Sequence, residues 1–215
     1  MRILVVGMGL IGGSICKSIK AATSHAVYGC DVQQAVLNDA IADGAIDGTG
    51  TMTDSTYDMI ILCLHQRIAI QMVQEALPKI PTGTILVDTC GLKGRMVRDL
   101  TYRCRKAGVR YVGTHPMAGR EKNGYYASIP NLFQNANLIV TPVDGTDEAA
   151  LDTVKELADQ MGFGKIVTAT PMWHDNMIAY TSQLAHVVSS SYVKDFCMDD
   201  ALSFSGGSFQ DMTRV

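Results

Sequence analysis

A glycine-rich turn near the amino terminus constrains the fold more than any other feature of this chain. Gly7, Gly9 and Gly12 follow the apolar run from Ile3 to Val6, and apolar residues at helical spacing come directly after Gly9. A short apolar run that ends in glycine is typical of a strand buried on both faces of a parallel sheet. The pattern G-x-G-x-x-G between a strand and a helix indicates a turn that binds a dinucleotide.

Each glycine of this turn has a separate task. Gly7 permits the tight turn, Gly9 lets the backbone approach a pyrophosphate, and Gly12 lets the helix pack closely on the sheet. At the end of the next predicted strand, Asp31 can accept hydrogen bonds from ribose hydroxyls. Its charge would repel a 2′-phosphate, and residues 32–34 supply no arginine, so we expect NAD rather than NADP. Four neighbours complete the predicted cofactor site: Leu10, Ile11, Leu64 and Thr89.

Strand-like and helix-like segments alternate along most of the chain. Further strands are predicted at 26–31, 59–64, 84–87, 110–112, 137–140 and 165–168, and helices at 33–42, 67–77, 95–106 and, with Thr146 as N-cap, up to Met161. This alternation predicts an α/β fold with a doubly wound, mostly parallel sheet of the Rossmann type. The order of strand, helix, second strand and acidic residue favours the dinucleotide turn over an ordinary strand-to-helix turn.

The pattern changes near residue 170. Thr170 and Pro171 form a strong helix start, and a long helical stripe then runs from Trp173 to about Lys194 with no strand after it. We therefore expect a dinucleotide-binding domain over residues 1–169 and the start of a helical domain over residues 170–215.

Composition excludes several classes of partner. Lys and Arg number 18 against 21 Asp and Glu, a net charge of −3 without any basic run, so nucleic acid and anionic membranes are not expected partners. No apolar stretch approaches the roughly 20 residues that a spanning helix needs. The six cysteines form no C-x-x-C pair, which indicates reduced thiols in a cytoplasmic protein. No His, Cys or Asp cluster has metal-ligand spacing, so we expect a small-molecule substrate and no metal.

Three further motifs carry a resemblance to a known family. The segment from His115 to Gly124 reads H-P-M-A-G-x-E-K-x-G, the segment from Gly206 to Arg214 reads G-G-S-F-Q-D-M-T-R, and His174 is followed by Asp175. Together with the glycine turn, these motifs resemble the prephenate and arogenate dehydrogenases over the whole chain. The first motif is expected in a loop beyond the carboxyl end of the sixth strand, where open α/β sheets bind ligands.

The resemblance implies the oxidative decarboxylation of prephenate to 4-hydroxyphenylpyruvate, with hydride transfer to NAD, in tyrosine biosynthesis. It implies that His115 accepts the proton of the substrate hydroxyl. An imidazole, with an unperturbed pKa of about 6.5, suits that role. The resemblance also makes Arg214 the clamp for a substrate carboxylate. Lys93 matches a family lysine near the active site, and we take it as catalytic; a solvated loop lysine is the alternative.

Four more residues are assigned to substrate binding. Glu121 and Lys122 would order the loop after His115, although they could equally form a surface ion pair. Arg120 stands where relatives often have threonine, and it adds a cation. His186 matches a frequent family histidine, whereas His174, about 120° away around the same predicted helix, is expected to orient the helix start.

The chain also departs from the family pattern. Many relatives have serine where Gly91 stands, and Thr89 or Cys90 could substitute for it. Gln183 and Ala185 also replace frequent family residues. The chain stops just after Arg214, whereas family members continue into helices that build a dimer, so we expect a fragment or a minimal version, and a homodimer.

Three other functions compete with this one. Arogenate dehydrogenase differs only in the amine of the substrate side chain. A hydroxyacid or imine reductase would share the fold, but the H-P-M-A-G motif argues against it. A non-catalytic nucleotide sensor would bind NAD without turnover.

Overall fold

The computed structural model describes residues 1–54, 57–194 and 203–213. Contacts within the chain divide it into two compact units, Met1–Pro171 and Met172–Val215. The first unit holds the sheet, and the second is helical where it is described.

The first unit is built on one sheet, in which the structure describes eight strands in the order β3-β2-β1-β4-β5-β6-β7-β8. Every neighbouring pair is parallel except β6 with β7. The strands are β1 (Arg2–Val6), β2 (Ala26–Cys30), β3 (Gly48–Thr49), β4 (Met59–Leu62), β5 (Ile85–Asp88), β6 (Arg110–Met117), β7 (Asn137–Val140) and β8 (Lys165–Thr168). The predicted mostly parallel sheet is therefore confirmed, with the short edge strand β3 added.

Helices cover both faces of this sheet. They are α1 (Leu10–Ala22), α2 (Gln34–Ala42), α3 (Gln66–Ala76), α4 (Gly94–Lys106) and α5 (Glu148–Gln160). Because successive strand residues point to opposite faces, Ile3 and Val5 of β1 pack with α1, α2 and α5, while Leu4 and Val6 pack with α3 and α4. Burial on both faces explains why these strands read as continuous apolar runs.

Strand β6 is longer than its sequence suggests. It pairs in parallel with β5 as far as Gly113, which lies opposite Asp88, and then pairs antiparallel with β7 from Thr114 to Met117. The prediction that His115 lies in a loop beyond this strand is therefore wrong. His115 lies within β6, opposite Ile139, because β7 supplies a new partner where β5 ends.

The start of α5 also differs from the prediction. Asp147, not Thr146, is the N-cap: its side chain accepts a hydrogen bond from the backbone N–H of Ala150 at 2.7 Å. The hydroxyl of Thr146 instead accepts from the backbone N–H of Val143 at 2.9 Å, which closes the preceding turn. A carboxylate at the N-cap also suits the positive end of the helix dipole.

The long helix predicted from Trp173 is interrupted. It comprises α6 (Pro171–Ile178), a π-helical turn (Ala179–Gln183) and α7 (Leu184–Val193), and α8 (Gly207–Thr213) follows later. The predicted angle of about 120° between His174 and His186 assumed 100° per residue along one continuous α-helix, and the π-turn interrupts that spacing. Among the described helices, none combines the length and apolar character required to cross a membrane.

Candidate active site

The glycine turn has the geometry that its sequence predicts. Gly7 has a positive φ of 93°, and a Cβ on Gly12 would stand only 1.9 Å from the carbonyl oxygen of Gly7. A side chain is therefore excluded at both positions. By contrast, a Cβ on Gly9, the residue before α1, would meet no atom within 4 Å. The open space beside Gly9 and the helix N–H groups behind it form a place where an anion fits.

Asp31 lies directly beside this turn. Its Oδ2 accepts a hydrogen bond from the backbone N–H of Met8 at 2.7 Å, and its Oδ1 accepts one from Gln33 at 2.9 Å. The two bonds fix the carboxylate while leaving further acceptor positions on both oxygens. The side chain of Val32, the next residue, is almost fully exposed. The carboxylate of Asp31, which is predicted to repel the 2′-phosphate of NADP, is thus held in place directly after β2.

The other predicted cofactor residues lie around the same edge of the sheet. Leu10 and Ile11 begin α1, and the side chain of Leu64 lies 2.8 Å from the position that a Cβ on Gly7 would take. Thr89 follows β5, and its hydroxyl donates to the carbonyl of Leu62 at the end of β4, at 3.1 Å. The carboxyl ends of β1, β2, β4 and β5 therefore bring these residues to one crevice.

A buried polar cluster lies at the end of β5. Oδ1 of Asp88 accepts hydrogen bonds from the ammonium of Lys93 and from the backbone N–H of Cys90, the latter at 2.9 Å. Oδ2 of Asp88 accepts from the hydroxyl of Tyr111 at 2.6 Å. The ammonium of Lys93 also donates to the carbonyl of Thr114. Asp88 and Lys93 both have side chains with 0% exposure, so the alternative of a solvated loop lysine is wrong.

Two members of this cluster, Asp88 and Tyr111, are not predicted from the sequence. Burial and the neighbouring Asp88 carboxylate raise the pKa of Tyr111 well above its usual value, so its hydroxyl stays protonated and donates. Burial, followed by the same carboxylate, raises the pKa of Cys90 to about 12. The only local signal was an acidic residue at the end of an apolar strand, five positions before a lysine.

His115 lies next to this cluster on β6 and is half-buried. Its ring faces the loop that follows β5: a Cβ on Gly91 would stand 3.7 Å from both Cε1 and Nε2 of the imidazole. The structure thus brings together two predicted catalytic regions, the loop that carries Lys93 and the strand that carries His115.

The loop after His115 carries exposed charged residues. Arg120 donates to the carbonyl of Ala127 at 2.9 Å, and Glu121 and Lys122 are also exposed. Within the residues that the structure describes, no ion pair joins Glu121 to Lys122. The surface-pair alternative therefore finds no support in the geometry.

A tyrosine pair fastens the end of this loop. The hydroxyl of Tyr125 donates to Oδ2 of Asp43 at 3.0 Å, and the hydroxyl of Tyr126 donates to Asp39. The ammonium of Lys17 lies 4.5 Å from the centre of the Tyr125 ring and 3.5 Å from Asp43. These contacts tie the turn Tyr125–Ala127 to α1 and to the carboxyl-terminal part of α2.

The remaining predicted residues belong to the second unit. His174 is buried, and its Nδ1 lies 2.8 Å from a carboxylate oxygen of Asp175. His186 is exposed on α7. Arg214, the predicted carboxylate clamp, lies outside the described residues. The substrate roles of His186 and Arg214 remain predictions.

No group of three or more His, Cys, Asp or Glu side chains among the described residues could hold a metal ion. Two thiols near the site, half-buried Cys63 and buried Cys90, have pKa values raised to about 12, chiefly because removal from water disfavours the thiolate. Neither is a nucleophile at neutral pH.

Comparison with known proteins decides the family. The family model described as "Prephenate dehydrogenase, nucleotide-binding domain" matches residues 15–168, and "Prephenate dehydrogenase, dimerization domain" matches residues 170–215. The chain belongs to the prephenate dehydrogenase family. The resemblance seen in the H-P-M-A-G and G-G-S-F-Q-D motifs is thereby confirmed.

Individual relatives agree with this assignment. The chain is 30% identical to the prephenate dehydrogenase of Bacillus subtilis, covering 99% of this chain and 60% of the relative. It is also 30% identical to the cyclohexadienyl dehydrogenase of Zymomonas mobilis, covering 100% of this chain and 75% of the relative. The chain thus spans only part of the length of these family members.

Solved structures share the fold. The arogenate dehydrogenase of Synechocystis superposes with a TM-score of 0.86 at 26% identity, covering 100% of this chain and 78% of that one. The prephenate dehydrogenase of A. aeolicus, in complex with hydroxyphenyl propionate and NAD+, gives a TM-score of 0.82 at 28% identity, covering 100% and 77%.

Proposed function

We propose that this chain catalyses the NAD-dependent oxidative decarboxylation of prephenate to 4-hydroxyphenylpyruvate. One observation carries the proposal: His115 is held on β6 at the same edge of the sheet as the glycine turn, with its ring facing the loop after β5. A single imidazole beside a dinucleotide crevice can serve both as proton acceptor and as proton donor.

The residues of the crevice fit NAD. The open space at Gly9 and the start of α1 suit a pyrophosphate, and the fixed carboxylate of Asp31 suits a ribose with two free hydroxyls. When bound, NAD+ accepts a hydride. We therefore propose residues 1–169 as the dinucleotide-binding domain, with Leu10, Ile11, Leu64 and Thr89 lining the crevice.

The role proposed for His115 follows from the balance of the reaction. Hydride leaves the ring carbon that bears the hydroxyl, while the imidazole takes the hydroxyl proton as that carbon gains carbonyl character. Loss of the ring carboxylate as carbon dioxide then makes the ring aromatic, and the imidazole returns the proton to the oxygen. Aromatisation drives the step, so the protein's main tasks are to position the substrate and to manage this proton.

Prephenate carries two carboxylates, which require cations. We propose Arg214 as the principal clamp, because a guanidinium can hold a carboxylate with two parallel hydrogen bonds. Arg120 and Lys122 supply exposed positive charge close in sequence to His115, and we propose Glu121 and His186 as further substrate contacts.

We propose that two copies assemble through residues 170–215. The match to a dimerization domain supports this, as do the exposed apolar side chains of Trp173, Tyr180, Leu184 and Val187. The described cysteines are free thiols, which fits a protein of the cytoplasm.

An assay with two substrates tests the proposal. Purified protein is mixed with NAD and either prephenate or arogenate, and the absorbance of the reduced cofactor is followed. Turnover with prephenate is expected. Turnover with arogenate alone would instead identify an arogenate dehydrogenase. The similarity to the Synechocystis arogenate dehydrogenase supports this second candidate. Binding of NAD without turnover of either substrate would instead support a nucleotide sensor.

A histidine pair provides the control for the catalytic role. H115N should abolish turnover and leave NAD affinity unchanged. H25N should leave both turnover and NAD affinity unchanged. His25 comes directly before β2, at the amino ends of the strands, and its Nδ1 lies 3.2 Å from the amino-terminal nitrogen. Full activity in H115N would remove His115 from the mechanism.

A further inference from the structure

The buried cluster at the end of β5 lies where β6 changes partner. Asp88, the last residue of β5, is opposite Gly113, and in the described residues the next stretch of β6 pairs only with β7. On the β5 side, Thr114 therefore faces the loop after β5 instead of a strand. A backbone carbonyl buried at such a position needs another hydrogen-bond donor.

Lys93 supplies that donor. Its ammonium bridges the carboxylate of Asp88 and the carbonyl of Thr114. The hydroxyl of Thr114 donates to the carbonyl of Asp88 at 2.7 Å, which closes the junction from the other side. In effect, the lysine continues the hydrogen bonding of the sheet one residue past the end of β5.

Because the peptide group between Thr114 and His115 is planar, a hydrogen bond that orients the carbonyl of Thr114 also orients the plane that contains the nitrogen and Cα of His115. We propose that Lys93 is a positioning residue for His115, acting through the Thr114 carbonyl and not through contact with substrate. This inference rests on the catalytic role proposed above for His115. The role differs from the catalytic one that the sequence predicts for Lys93.

A simpler alternative is that Lys93 only neutralises the buried Asp88. Removing the lysine alone cannot separate the two roles, because K93M leaves a buried carboxylate without its partner and so destabilises the fold. The double variant D88N/K93M separates them. It removes both charges: the asparagine oxygen can still accept from the backbone N–H of Cys90, and its amide NH2 can donate to the hydroxyl oxygen of Tyr111, but its methionine cannot donate to Thr114.

The experiment compares the wild-type chain, K93M, D88N/K93M and the surface control K20M, which breaks an exposed ion pair with Asp47. Thermal unfolding measures stability, and steady-state kinetics give kcat and KM. The Cε1–H proton resonance of His115, assigned by its loss in H115N, reports the position of the ring by NMR. Because this resonance needs neither cofactor nor substrate, it is independent of turnover.

A displaced ring lowers kcat far more than it weakens binding, since a shift on the order of 1 Å can reduce the rate about 100-fold. D88N/K93M should therefore be more stable than K93M, yet have a kcat about 100-fold below wild type. Its KM and NAD affinity should stay near wild-type values. Its His115 resonance should move and titrate at a different pH, while K20M matches wild type in every measurement.

Recovery of both kcat and the wild-type His115 resonance in D88N/K93M would overturn the inference in favour of simple charge neutralisation. Absence of turnover in the wild-type chain with either substrate would instead count against the proposed function. The His115 resonance would then still decide whether Lys93 positions the ring: a shifted signal supports it, and an unchanged one refutes it.

Discussion

The imidazole of His115 stands against the bare backbone of Gly91, whose missing Cβ would lie 3.7 Å from both Cε1 and Nε2. This distance is an ordinary van der Waals contact, and Gly91 does not have the left-handed backbone that only glycine adopts readily. A side chain therefore fits here. It is also the position at which the family resemblance leads us to expect a serine.

The first prediction follows from this space. G91S should fold normally, with stability within about 0.5 kcal/mol of wild type. Its hydroxyl can reach the ring of His115 or a bound substrate, and one hydrogen bond contributes about 0.5–1.5 kcal/mol, or up to about tenfold in kcat/KM. Kinetics should thus show a higher kcat/KM.

G91A is the matched control, because it adds the Cβ without the hydroxyl. It should leave kcat/KM unchanged. Equal kinetic effects in G91A and G91S would mean that filling the space matters and that the hydrogen bond does not.

The second prediction is that two glycines of the same turn, Gly12 and Gly9, respond differently to substitution by alanine. In G12A the new Cβ would collide with the carbonyl of Gly7 at 1.9 Å, so the turn must open. Such overpacking costs about 1–3 kcal/mol of stability and should also weaken NAD binding. In G9A the Cβ enters open space, so stability should hold while NAD affinity falls.

Urea unfolding and calorimetric NAD titration measure the two effects. A large loss of stability in G9A, or none in G12A, would show that the turn packs differently from the structure.

Local spacing was enough to predict the glycine turn, Asp31 and most of the strand and helix alternation, because these patterns repeat over a few residues. The true end of β6 could not be predicted, because its partner β7 comes much later in the chain and only the pairing extends the strand to Met117. The cluster of Asp88 and Tyr111 was missed for the same reason. These residues, from β5 and β6, meet only through the register of those strands.

The third prediction concerns alkaline pH. Burial raises the pKa of the Cys63 and Cys104 thiols to about 12, whereas the ordinary value is 9.0. Between these values the unfolded chain loses protons that the folded chain retains, so the free energy of unfolding falls as the pH rises. The stabilising contribution is complete below pH 9.0 and is lost progressively up to about 12.

Urea unfolding at several pH values above 9.0 measures this loss. C104A is the better probe, because Cys104 lies away from the glycine turn. It belongs to α4 and packs in the same buried cluster as Leu86 and Leu100. The stability of C104A should depend less steeply on pH than that of the wild-type chain. An identical slope would mean that the Cys104 thiolate is not excluded from the folded protein.

The last prediction tests how the loop after His115 is fastened. The side chain of Tyr125 is buried and bonds to Asp43 beneath the charge of Lys17, whereas Tyr126 is 80% exposed beside Asp39. Y125F leaves the ring in place and removes one hydrogen bond, which should cost about 1 kcal/mol. Y126F should have no measurable effect, because water replaces the lost partner.

The kinetics should separate the two variants as well. Arg120 donates a hydrogen bond to the carbonyl of Ala127, so the turn Tyr125–Ala127 also holds the loop after β6. Y125F should therefore loosen this loop and raise KM for prephenate more than it lowers kcat. Equal stability and equal KM in the two variants would show that the loop is held by its backbone alone.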